Sequence, residues 1–258
     1  MRNDYKKGKY AMRLICEFGF DGILTLPIHY NHLLQGFIYK NLTDDALRTF
    51  LHEVGFQKGK RSYKLFTYSR ILGKSRFNPE EKTISFYSPI RLHISSFVDE
   101  FIQDLSNTFF KSNYLFLGEK EVELRSIMVK EFSLKEPKIE IRMLSPLVTY
   151  RTAEIDRKNK TIYFSPRDLE FSEQVRQNLL RKYMVVYGKE PEDDAFRIDY
   201  IGRKEPKLSI IRYHNTIIKG YNGHYLLQGN PELIRLGYFT GLGSKNSQGF
   251  GCFEEINS

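Results

Sequence analysis

Residues 95–129 read SSFVDEFIQDLSNTFFKSNYLFLGEKEVELRSIMV. Phe97, Phe101, Ile102, Leu105 and Phe109 recur at helical spacing, which predicts a helix over 95–110. Tyr114–Leu117 and Val122–Val129 follow with the apolar and β-branched content of strands. Upstream, Met12–Gly19 reads as a strand. Asn31 offers an N-cap to a helix with Leu33, Leu34, Phe37 and Ile38 on one face. A second short helix follows, with Thr43 as its cap, Asp44 and Asp45 in the dipole-favoured first turn, Leu47, Phe50 and Leu51 as its apolar face, and Gly55 as its stop. Lys64–Ser69 and Lys82–Tyr87 read as strands. The order β-α-β-β-α-β is the ferredoxin-like arrangement.

The order recurs downstream. Ile139–Tyr150 and Thr161–Phe164 read as strands about a turn at 157–160, and a helix runs from Pro166 toward Gly188 through Val175, Leu179, Leu180 and Val186. Phe196–Ile201, Leu208–His214 and Ile217–Leu227 are strands, the last with Asn222-Gly223 as a two-residue hairpin signal. A short helix over Pro231–Tyr238 and a strand over Phe250–Ile256 close the set. The reading is an α+β protein of tandem ferredoxin-like (RRM-like) domains, 1–134 and 135–258, divided near Leu134–Pro137. Residues 1–11, polar and basic, read either as a flexible arm or as a stretch preceding a functional start near Met12.

The 258 residues are 41% hydrophobic and 28% charged, so a packed core is available and disorder is excluded. A balance of 40 Lys+Arg against 31 Asp+Glu leaves +9, which favours a polyanionic partner. Twenty Phe and 17 Tyr stand beside no Trp; most must fill cores, and some can stack on unpaired bases. Cys16 and Cys252 lack metal-ligand spacing and read as buried thiols in a reducing cytoplasm. No apolar run reaches 18 residues, so no membrane partner is expected.

Gly241-Leu-Gly-Ser-Lys-Asn-Ser-Gln-Gly-Phe-Gly251 places four glycines in eleven residues. Such backbone can take positive φ and form an anion-binding nest, with Lys245 adding a charge. A tight structural connection before the last strand is equally consistent. The pattern Gly–hydrophobic–Gly, five residues with a basic one, Gly–hydrophobic–Gly resembles the C-terminal signature of the RAMP superfamily of CRISPR-associated proteins. Tyr30-Asn-His32, Leu34–Tyr39, Leu51-His-Glu-Val54, Lys64–Ser69, Leu144-Ser-Pro146, Lys182-Tyr183 and Tyr187-Gly188 extend the resemblance from Met12 onward, to the repeat-processing endoribonucleases of that superfamily.

That resemblance implies a metal-independent cut within CRISPR repeat RNA by the RNA's own 2′-hydroxyl, with no cofactor. It carries a Tyr-His-Lys trio onto Tyr39, His52 and Lys64. His52 would be the general acid or base, Lys64 would offset phosphorane charge, and Tyr39 would position the proton-transfer group. His32 is the reserve histidine, because the catalytic histidine varies in position among branches of the family. Lys58, Lys60 and Arg61 are substitutes for Lys64, since the gap after His52 is longer than in relatives. Gly241, Gly243, Lys245, Asn246, Gly249 and Gly251 would contact RNA.

His29 and His32 form an HxxH pair with no third ligand, so no metal site is expected. Gly73-Lys74-Ser75 fails as a phosphate loop because Tyr68 stands where glycine is required. The basic segments 58–61, 74–76, 157–160 and 203–207 and the Lys245 loop are candidate phosphate contacts. The expected partners are precursor and processed repeat RNA and the subunits of an interference complex; a homodimer stays open. A non-catalytic RNA-binding subunit and an unrelated ribonucleoprotein component are the alternatives. Binding without cutting, or no preference for repeats, would mark them.

Overall fold

The computed structural model describes residues 7–112, 114–134, 136–156 and 158–256. The first sheet is built from β1 (Lys7–Gly19), β2 (Phe66–Tyr68), β3 (Ile90–Val98) and β4 (Lys120–Lys130), with helices α1 (Asn31–Lys40) and α2 (Asp99–Lys111) between strands. The strands stand side by side in the order β2-β3-β1-β4, and Leu115–Leu117 adds an edge strand. Pairing is antiparallel along β1, with Cys16 opposite Ile127 on one side and Leu92 on the other. That is the ferredoxin-like order.

Alternation along β1 sends Leu14, Cys16 and Phe18 to the face covered by α1 and α2. Phe18 meets Phe37 of α1 and Phe109 of α2 edge-on, at 5.6 Å in each case. The opposite face carries Arg13, which is fully buried. Its Nε donates to Ser95 Oγ (3.1 Å), Nη1 to the Phe253 carbonyl (2.5 Å) and Nη2 to the Tyr238 carbonyl (2.7 Å). Its guanidinium also lies 3.6 Å from the centre of the Tyr238 ring.

The second unit repeats the plan with β5 (Lys138–Met143), α3 (Glu170–Tyr187), β6 (Phe196–Tyr200), β7 (His224–Gly229), α4 (Pro231–Thr240) and β8 (Phe253–Glu255). Its sheet order is β6-β7-β5-β8, the same permutation as the first. Helix α4 packs against α3 and against β1, β2 and β3 of the first sheet. The two ferredoxin-like units therefore share a buried joint, with Arg13 and Tyr238 at its centre.

Several boundaries differ from the sequence reading. Strand β1 starts at Lys7, because residue 7 pairs with Val98 and the strand continues past Met12; residues 7–11 are thus not an arm, and 1–6 lie outside the described residues. Residues 95–98 finish β3, and α2 begins only at Asp99. Thr83–Tyr87 belongs to a separate sheet with Ile23–Pro27 and Ser75–Asn78. Residues 139–150 break into β5 and the start of a ribbon, Tyr150–Ile155 with Lys158–Tyr163. The α3 helix begins at Glu170, four residues beyond Pro166. Asn222-Gly223 is not a hairpin turn: Thr216–Asn222 pairs with Lys207–Tyr213, whereas β7 pairs with β5 and β6. The chain there changes sheets. No helix among the described residues is long and apolar enough to cross a membrane.

Candidate active site

Tyr39 lies in the last turn of α1. The chain then enters a helix over Asp45–Thr49 capped by Asp44, whose carboxylate accepts from the Leu47 amide at 2.9 Å. Thr43 is not the cap; its amide and hydroxyl both bind Asp104 of α2. The helix widens into a π-turn over Phe50–Val54 that holds His52, and ends at Gly55 with φ of 67°. Such widened turns recur at functional positions. A hairpin, Phe56–Lys58 with Arg61–Tyr63, returns the chain to Lys64. Three residues spread over 26 positions are thereby brought together.

The rings of Tyr39 and His52 meet edge-on, with centres 5.3 Å apart. The Tyr39 hydroxyl donates to the Leu51 carbonyl (3.3 Å), and burial pushes its ionisation up. Lys64 Nζ donates to the carbonyl of His52 itself (3.0 Å); burial lowers its proton affinity and Glu53 partly restores it. His52 Nδ1 is 2.5 Å from Glu53 Oε1, and its side chain is 61% exposed. A proton on Nδ1 would be shared with Glu53, leaving Nε2 on the side of the ring away from that carboxylate. Among the described residues Nε2 has no hydrogen-bond partner. Sequence reasoning did not single out Glu53. Its one signal was adjacency to His52.

His32 is placed elsewhere. It lies seven residues before Tyr39 on α1, about 10 Å along the axis. Its Nδ1 contacts the His29 carbonyl, and its ring faces His214 at 5.9 Å.

Lys64 also lines a cleft of about 460 Å³ between the two units. Arg61, Lys64, Lys182 and Lys245 line it together with Tyr63 and Tyr150, and among the described residues no carboxylate does. Lys245, at φ 62°, lies 5.5 Å from the Tyr150 ring. It is the one charged side chain of the glycine-rich loop at the cleft.

The rest of that loop answers first to the protein's own packing. Gly251 sits at φ 78°, and a Cβ there would stand 2.0 Å from the Leu242 carbonyl oxygen; at Gly243 it would stand 2.4 Å from that of Val148. Asn246 is 9% exposed, and its Nδ2 donates to the Leu242 (3.0 Å) and Phe250 (3.1 Å) carbonyls. Its side chain is a strut across the loop, not a free contact. Gly251→Ala is expected to cost about 2–4 kcal/mol through left-handed strain and this clash. A thermal melt coinciding with that of the native protein would refute the assignment.

The loop reaches across to the first unit. Asn31, expected as a cap, is instead the first helical residue of α1, and its Nδ2 donates to the Gln248 (2.8 Å) and Gly249 (3.2 Å) carbonyls. Gln35 Nε2 donates to the Ser247 carbonyl (2.7 Å) and Thr67 Oγ1 to that of Phe250 (3.0 Å). The helix carrying Tyr39 and the strand following Lys64 are thus both fastened to the glycine-rich loop.

Residues 25–128 match the family model "CRISPR-associated protein Cas6, N-terminal", and residues 127–255 match "CRISPR associated protein Cas6, C-terminal". The chain belongs to the Cas6 family. It is 28% identical to the "CRISPR-associated endoribonuclease Cas6" of Pyrococcus furiosus, over 94% of this chain and 88% of that one. It is 30% identical to a "putative CRISPR-associated endoribonuclease-like protein Cas6" of the same organism, over 90% and 93%. The solved structure of a Cas6-related gene product from Pyrococcus furiosus superposes with a TM-score of 0.83 at 25% identity, covering 96% and 99% of the two chains. The N-terminal Cas6 match contains Tyr39, His52 and Lys64, and the C-terminal one contains the glycine-rich loop.

Proposed function

We propose that this Cas6 chain is an endoribonuclease that cuts precursor CRISPR RNA once within each repeat. The observation carrying this reading is the convergence of Tyr39, His52 and Lys64 beside a cleft whose charged lining residues, among those described, are all cations. RNA lies in the cleft with its phosphates against Lys245 and Lys64. The 2′-oxygen before the scissile phosphate loses its proton and attacks phosphorus. The P–O5′ bond breaks and the 5′-oxygen takes up a proton, leaving a 2′,3′-cyclic phosphate and a 5′-hydroxyl. His52 Nε2 is the principal general acid or base, oriented by Glu53 through Nδ1. Lys64 leaves the His52 carbonyl to offset the phosphorane charge. Tyr39, with its hydroxyl turned to Leu51, acts on the imidazole by packing. No metal enters this scheme.

The products serve as guides for a multi-subunit complex in the cytoplasm. We further propose a division into domains near residues 134–137. The test is cleavage of end-labelled repeat RNA in excess EDTA. One cut with a cyclic-phosphate end is expected; tight binding with no cut would leave the non-catalytic RNA-binding subunit as the reading.

The phosphate role of Lys245 has its own prediction. Lys245→Asn keeps a side chain that tolerates φ 62° while removing the charge. The slope of log affinity against log salt is expected to become shallower by about one, with similar loss for every RNA sequence. An unchanged slope in a filter-binding titration would remove Lys245 from the RNA path.

A further inference from the structure

Lys182, on α3, is 2% exposed at the floor of the cleft. A lysine so placed ordinarily has an acid beside it. Here Nζ faces three neutral acceptors: the Gly241 carbonyl (2.6 Å), Asn246 Oδ1 (2.8 Å) and the Thr240 carbonyl (3.4 Å). Two of these are the terminal carbonyls of α4 and its cap, where the helix dipole favours a cation. The third is the strut of the glycine-rich loop. Three acceptors match the three protons of an ammonium.

We infer that Lys182 is a positioning residue for the proposed cut: its ammonium holds the glycine-rich loop in the place that sets α1 and β2, and hence Tyr39 and Lys64, around His52. The route is continuous. Lys182 fixes Asn246, Asn246 ties Leu242 to Phe250, and the loop carbonyls take Asn31, Gln35 and Thr67 from the first unit. This role rests on the nuclease reading.

Among the described residues, the charged groups around Lys182 are cations: Arg181 beside it on its own helix, and Arg61, Lys64 and Lys245, which line the cleft with it. Burial, with Arg181 adding, lowers its proton affinity to about pH 7. As pH rises through 7 the free protein loses the third donor and the loop loosens. A polyanion in the cleft raises that affinity, so the bound complex keeps the ammonium to higher pH. The subsaturating rate, which reports the free enzyme, should therefore fall at lower pH than the saturated single-turnover rate.

The experiment measures repeat-RNA affinity and single-turnover cutting from pH 6 to 9 for native protein, K182M and K182R. K182M is expected to cut roughly tenfold or more slowly at saturation, where a loss of affinity from the missing charge no longer limits the rate. K182R, permanently charged, is expected to restore cutting to within about threefold of native and to remove the subsaturating fall near pH 7. K182M cutting at the native rate at saturation would overturn the role, as would a K182R limb that coincides with the native one. If K182M does not fold by thermal melt, K182R alone decides on that limb. Failure of the native protein to cut would overturn the nuclease reading itself, which is a different result from native cutting with an unaffected K182M.

Discussion

His52→Ala is expected to slow single-turnover cleavage of repeat RNA by about 10²–10⁴-fold while leaving RNA affinity within about threefold. The size follows from what the side chain alone supplies, namely an imidazole nitrogen open to solvent whose partner nitrogen is held by Glu53 at 2.5 Å. Lys64 binds the His52 backbone carbonyl, which alanine retains, so the neighbouring cation stays in place. Affinity should hold for the same reason: the cleft lining comes from Arg61, Lys64, Lys182 and Lys245, not from His52. The check is a single-turnover time course in EDTA beside a binding titration. Cutting by the variant at the native rate would take the proton transfer away from His52 and make His32 the next histidine to replace.

Arg13→Met is expected to lower unfolding stability by about 3–5 kcal/mol, the largest effect on stability foreseen in this molecule. Methionine fills much of the aliphatic volume, so the loss comes from polar atoms. The carbonyls of Tyr238 and Phe253 and the Ser95 hydroxyl lose their donor inside a joint closed to water. The guanidinium contact with the Tyr238 ring is lost as well. Urea unfolding monitored by circular dichroism measures this. A midpoint unchanged by the substitution would mean that the joint reorganises at no cost and that the buried charge is incidental.

The tandem ferredoxin-like plan was legible because most of its strands and helices keep the period their environment imposes. The middle of β1, where buried Leu14, Cys16 and Phe18 alternate with half-buried Ile15 and Glu17, and helix α2, with Phe101, Ile102, Leu105 and Phe109 on one side, are clear cases. The errors arose where a segment is covered on both sides. Residues 92–98 are all buried, so β3 shows no two-residue alternation and its end merged with the following helix. Asn222-Gly223 has turn chemistry, but nothing local says that the two flanking strands pair with different partners.

Legibility of the site was more uneven. Tyr39, His52 and Lys64 came from family resemblance; a π-turn and a hairpin bring them together, and neither was foreseen in this form. The glycines of the loop were conspicuous, yet their first requirement is the proximity of the protein's own carbonyls. Asn31 was read as a cap because Asn commonly is one, whereas its partners lie 217 and 218 positions away. Lys182 entered only as part of the family resemblance, with nothing local to signal its burial. A lysine on a helix reads as solvent-facing until a loop some sixty positions later closes over it.

Arg13 precedes its partners Tyr238 and Phe253 by 225 and 240 positions. On a ribosome adding ~5–20 residues per second, its guanidinium waits on the order of 10–50 s for the carbonyls that will hold it. Asn31 and Gln35 wait almost as long for the loop carbonyls that anchor α1. During that interval the nascent chain already contains Tyr39, His52 and Lys64 but lacks the elements that fasten them. A fragment released early would carry the chemical groups without the frame, so ability to cut RNA would arrive only with the last strand.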